Sequence, residues 1–207
     1  MRPGFIQIAT LAALFAVHQA GAQSAPRPAW RLKVAPYGNS ARYRVQEQLA
    51  DVDLPSDAVG TTDRISGAIT FDKSGRVLVS GSKLTVDVRS LKSDREARDS
   101  YVGRHILQTN RFPTVTLVPL SVKGPQFPLP SAGAQTLEIV ANLTVNGVTR
   151  VTTWKGKASF EGNRISGTIA TTFTFDDFNL KKPNVMMVLS AEDDITLEYD
   201  FTLLAGP

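Results

Sequence analysis

The 207-residue chain contains no cysteine. That excludes disulfides, thiolate nucleophiles and cysteine-ligated metals, and it leaves a packed core as the source of stability. Histidine is almost as scarce: apart from His18 near the N-terminus there is only His105, and one imidazole cannot build a multi-histidine metal centre. No basic run is longer than Lys181-Lys182, and the formal net charge is +4. A nucleic-acid surface would need a basic stripe with interleaved exposed aromatics, so the balance leaves only a weak attraction to anionic lipid. The sequence also lacks a phosphate loop and a nucleophile elbow. Its acidic groups, Asp176-Asp177 and Glu192-Asp193-Asp194, fall in turn contexts where solvated carboxylates are ordinary. A secreted hydrolase would have to rest on His105, which no neighbouring residue orients. The expectation is a protein that is not an enzyme and has no metal.

What is present begins with a leader. Arg2 supplies a positive start, residues 6–17 form a short apolar run, and Ala20-Gly21-Ala22 matches a small-x-small cleavage pattern. The run is too short to span a bilayer. Residues 1–22 therefore read as a secretory signal, with an exported chain starting near Gln23. Residues 23–40 read as a linker followed by a short edge strand at 30–34, and residues 41–207 as one domain.

Within that domain the dominant signal has a period of two. Leu137, Ile139, Ala141, Leu143 and Val145 share one face. After the hairpin dipeptide Asn146-Gly147 the alternation resumes with Trp154, Ala158 and Phe160. Ile165, Ile169, Phe173 and Phe175 continue it beyond the turn at Gly162, so three strands form a meander with one wet side. Counting alike along the chain gives eight strands at 42–49, 64–72, 82–88, 114–122, 136–145, 150–160, 164–175 and 195–203. Eight antiparallel strands suit a small closed barrel. A two-sheet sandwich reads similarly, but the long late strands favour closure.

Four features depart from plain alternation. Glu47 shares a face with Tyr43, Val45 and Leu49, either as a rim residue paired with an arginine or as a polar group inside a cavity. The stretch 51–63 reads as a loop over the barrel mouth, and Pro119 marks a bulge or an edge. Ser93-Asp94-Arg95-Glu96 fits a capping box that starts a helix through residue 107, with Tyr101, Val102 and Ile106 inward. That helix either closes one end of the barrel or acts as a lid.

Asp99 with Tyr101-Val102, then Asn110-Arg111-Phe112-Pro113-Thr114, then Leu143-Thr144-Val145-Asn146-Gly147-Val148-Thr149-Arg150 resemble the signature segments of the YceI-like family. Asn146 stands where that family commonly has histidine, and Val151 where it has proline. The resemblance implies an all-β, eight-stranded antiparallel, lipocalin-like barrel with one short helix. It also implies a periplasmic protein, often a homodimer, that holds a long isoprenoid chain in its lumen. No cofactor is expected, and a bound isoprenoid or isoprenoid quinone would be a ligand. The candidate lumen residues are Tyr43, Val45, Ile69, Phe71, Leu84, Val86, Leu117, Leu143, Trp154, Phe160, Phe173, Leu197, Tyr199 and Phe201. Glu47, Arg98 and Tyr101 are the gate or head-group candidates. The partners expected are a long apolar lipid and, transiently, a membrane surface. A structural or protein-interaction barrel with a filled interior is the alternative, because alternation alone does not tell a plugged lumen from an open one.

Overall fold

The computed structural model describes residues 29–206 apart from Val52 and Val185; the expected leader and cleavage site lie outside the described residues. The strands in chain order are β1 (Trp30–Val34), β2 (Ser40–Leu49), β3 (Ser56–Thr62), β4 (Ile65–Phe71) and β5 (Lys83–Asp87). Helix α1 (Glu96–Tyr101) follows. Then come β6 (Thr114–Lys123), β7 (Ala132–Val145), β8 (Val148–Glu161), β9 (Arg164–Thr174), β10 (Val188–Ala191) and β11 (Asp194–Gly206).

These strands fill eight positions around a closed antiparallel barrel. Three positions each hold two strands end to end. β1 and β2 share one flank of β11, at residues 203–206 and 196–200 respectively. β4 pairs with β1 and β3 pairs with β2, and β10 continues the line of β11 along β2. From β4 the ladder runs in chain order through β5, β6, β7, β8 and β9 to β11, which closes on β1.

The meander explains why the sheet closes rather than slips. Asn146 and Gly147 both have positive φ, 49° and 78°, so the hairpin turn follows the right-handed strand twist and fixes Val145 opposite Val148. Once that register is set, period two sends Leu137, Ile139, Ala141, Leu143 and Val145 inward together, and all five are buried. The expected irregularity at Pro119 is a bulge: the β6–β7 register shifts between Pro119 and Ser121, where a proline withdraws a donor from the ladder.

Several expectations need correction. Residues 51–63 are not all loop, since β3 lies within them; its buried residues, Ala58, Gly60 and Thr62, are too small or polar to show as a hydrophobic period. Residues 30–34 are not an edge strand, because β1 is paired on both flanks, so the barrel begins before residue 41. The capping box at Ser93 and Glu96 does not form. Instead the Ser93 backbone N–H and hydroxyl both donate to Asp99 Oδ1, at 2.8 and 2.7 Å. Helix α1 is short and passes at Tyr101 into a π-helical turn, Val102–Ile106, which carries Ile106 into the core while Tyr101 and Val102 pack against it.

Candidate functional site

The barrel interior divides along its axis into a packed floor and an open cavity. Toward the floor, Phe127 from the loop between β6 and β7 rests against Phe71, with ring centroids 5.0 Å apart. Only a void of about 50 Å³ remains there. Toward the other end lies a cavity of about 510 Å³, within the range of small-molecule sites.

Ten of the fourteen predicted lumen residues line this larger cavity: Tyr43, Val45, Leu84, Val86, Leu117, Leu143, Trp154, Phe173, Leu197 and Tyr199. The other four, Ile69, Phe71, Phe160 and Phe201, do not. They surround the small void and belong to the floor. Alternation assigns a residue to the inner face but says nothing about its height on the axis, so floor and wall look alike in the sequence. Leu84, Leu117 and Tyr199 border both spaces and form the partition between them.

Much of the wall is apolar because buried polar atoms there are taken up by the protein. Trp154 Nε1–H donates to Thr152 Oγ1 at 2.9 Å. The Tyr199 hydroxyl donates to Asn39 Oδ1 at 2.8 Å, and the Thr202 N–H donates to the same oxygen at 3.0 Å. Asn39 sits buried at the break between β1 and β2, where its amide donates to the Ala35 carbonyl at 2.9 Å. Burial pushes the Tyr199 pKa far above that of a free phenol, because ionisation would place a charge in an apolar wall.

All three gate candidates also line the cavity, and the two readings of Glu47 prove compatible. Its side chain is 7% exposed and meets the Arg98 guanidinium, itself 12% exposed, at 2.5 Å. Arg98 also pairs with Asp94. Burial works against the Arg98 charge, but hydrogen bonds and charge from Glu47 and Asp94 outweigh it and raise its pKa. The Asp94 carboxyl is held below its ordinary value by its hydrogen bond to Arg98. One cation thus already faces two carboxylates.

Tyr43 stands beside this cluster. Its ring lies where a side chain on β3 would be: a Cβ at Gly60 would come within 2.2 Å of Tyr43 Cε1, so glycine at that position is what seats the ring. Burial pushes the Tyr43 pKa up to about 12, with Arg98 pulling the other way. No described residue hydrogen-bonds its hydroxyl in the structure. Helix α1 brings Arg98 and Tyr101 to the cavity, and its approach is fixed by the segment before it. Thr61 and Lys92 exchange backbone hydrogen bonds at 2.8 and 3.0 Å, and Arg95 reaches Asp51 at 3.2 Å.

Sequence reasoning missed the lining from 175–191. Leu180, Pro183, Met187, Val188 and Ala191 all reach the cavity; their segment shows no clean period because it turns before and after a four-residue strand. Ala58 was missed with the rest of β3. Among the described residues no group of three or more His, Cys, Asp or Glu side chains is placed to hold a metal ion, and no helix is long and apolar enough to cross a membrane. His105 is exposed, and its ring lies tilted against that of Tyr101 with centroids 4.9 Å apart.

Comparison with known proteins fits this geometry. The chain is 29% identical over 133 residues to a UPF0312 protein of Pseudomonas putida (strain GB-1), covering 60% of this chain and 64% of that one. It is 31% identical over 133 residues to a UPF0312 protein of Shewanella oneidensis, covering 61% and 65%. The match thus spans less than two thirds of the length of either relative. Among solved structures, a polyisoprenoid binding domain from Saccharophagus degradans superposes with a TM-score of 0.62 at 13% identity, covering 87% of this chain and all of that one. Burkholderia cenocepacia BcnA superposes with a TM-score of 0.56 at 16% identity, covering 79% and 95%. At such identities these likenesses show a shared fold. The family described as YceI-like domain matches residues 35–203, which is most of the chain and nearly the whole barrel, and the protein belongs to that family.

Proposed function

We propose that the protein is a carrier or sequestering protein for a long apolar lipid, a polyisoprenoid or isoprenoid quinone, held in the barrel lumen. The observation that carries this reading is the apolar cavity of about 510 Å³ that ends at a cluster of polar groups. Each 100 Å² of hydrocarbon tail withdrawn from water contributes roughly 2.5 kcal/mol, so a tail alone supplies useful affinity. A structural neighbour is itself a polyisoprenoid binding domain, which supports that ligand class. The leader supports export to the periplasm, and the family resemblance supports a dimer.

The polar end favours an uncharged head group. Arg98 is matched by Glu47 and Asp94, and the other two arginines lining the cavity are also engaged, Arg95 by Asp51 and Arg42 by Glu198 and Asp200, so an added phosphate would meet carboxylates and cations that are already occupied. A hydroxyl or carbonyl oxygen can instead accept a hydrogen bond from Tyr43, with Arg98 and Tyr101 alongside. Native mass spectrometry of protein expressed with its leader, followed by organic extraction, tests the reading. A retained lipid-sized mass is expected; a clean apoprotein mass that persists after incubation with geranylgeraniol and with a short-chain quinone would overturn it.

A further inference from the structure

We infer that the cavity mouth carries an apolar lip that docks on the surface of a lipid bilayer. This rests on the carrier reading for its purpose but not for its observations. Among the described residues eight large hydrophobic side chains are exposed, and four of them, Leu54 (73%), Met186 (94%), Met187 (52%) and Leu189 (67%), lie on two adjoining segments beside the mouth. The other four are spread over separate elements. The two segments are tied together: the Ala50 N–H donates to the Met187 carbonyl at 3.0 Å, and Val188 pairs with Leu49. Met187 and Val188 also line the cavity, so Met187, half exposed, joins the exposed patch to the cavity wall.

That continuity selects the occupant. A lipid tail moving along it from a bilayer would stay in apolar contact, whereas a folded partner seated on the same residues would block the entrance. The neighbouring charges are of both signs and partly matched, Asp51 with Arg95 at 3.2 Å and Lys182 with Asp193 at 3.6 Å. Docking therefore depends on insertion of apolar side chains and only weakly on anionic lipid.

The test uses the variant Leu54→Asp/Met186→Asp/Leu189→Asp, whose three positions do not line the cavity, with its fold checked by near-ultraviolet circular dichroism. Flotation with phosphatidylcholine vesicles, with and without phosphatidylglycerol, reads docking; uptake of a fluorescent geranylgeranyl probe from cyclodextrin reads carriage. The wild type is expected to float with both vesicle types and the variant to lose roughly tenfold in partitioning, with probe uptake from cyclodextrin unchanged. Equal flotation of the two proteins, or none by the wild type, would overturn the lip. So would a wild-type dimer that the substitutions dissociate in sedimentation, because the patch would then belong to a second copy. Failure of cyclodextrin uptake alone would remove the carrier reading and leave docking standing.

Discussion

At the scale of single residues, the Glu47–Arg98 pair is the most exacting contact in the site. Replacing Arg98 with Met strands the Glu47 carboxylate in a nearly dry position, and the expected loss is about 3 kcal/mol in urea denaturation. Changing both, Glu47→Leu with Arg98→Met, should recover most of that loss, because no buried charge is left unmatched. Tyr43 provides a separate, pH-dependent check. Its folded pKa of about 12 lies above the ordinary phenol value near 10, so its contribution is complete below pH 10 and is lost as the pH rises toward 12. Denaturation midpoints of the wild type should therefore fall more steeply across that window than those of Tyr43→Phe. Of these residues, Glu47 was legible in the sequence as a carboxylate among apolar neighbours. Its pairing with Arg98 was not, because the two lie 51 positions apart and only the route of the chain between them brings them together.

At the scale of elements, the β7–β8 hairpin sets the register of the long strands. Gly147→Val would force a β-branched side chain to φ 78° and against Phe112, whose Cε1 would lie 2.7 Å from the added Cβ. The expected cost is about 2 kcal/mol, measurable by thermal or urea unfolding. The sequence declared this hairpin openly, through alternation up to Asn-Gly and its resumption at Trp154, Ala158 and Phe160. It concealed β3 and β10 for opposite reasons: β3 buries residues with little apolar surface, and β10 is only four residues long with Leu189 facing out. The helix was legible in place but not in form. Asp99 took the role expected of Glu96, since the carboxylate that can reach Ser93 depends on how the chain enters the helix and not on spacing alone.

At the scale of the whole molecule, the division into floor and cavity is the feature that alternation does not encode. It can be tested by filling the cavity. Val86→Phe places extra bulk into an existing space, so stability should change by less than about 1.5 kcal/mol while uptake of the geranylgeranyl probe falls at least tenfold. Equal loss of stability and uptake would show that the side chain does not occupy free volume.

The broken strands have a wider consequence. β3 is laddered to β2 on one side only; on its other side, a single bridge from Thr61 to Lys92 leads into the helical segment. The girdle of backbone hydrogen bonds is therefore open between β3 and β5 at the mouth, and the segment leading into α1 spans that side, held through Arg98, Arg95 and the bridge itself. The bore of the entrance is set by side chains and not by the number of strands, so substitutions in one short helix can narrow or widen it without re-registering the barrel.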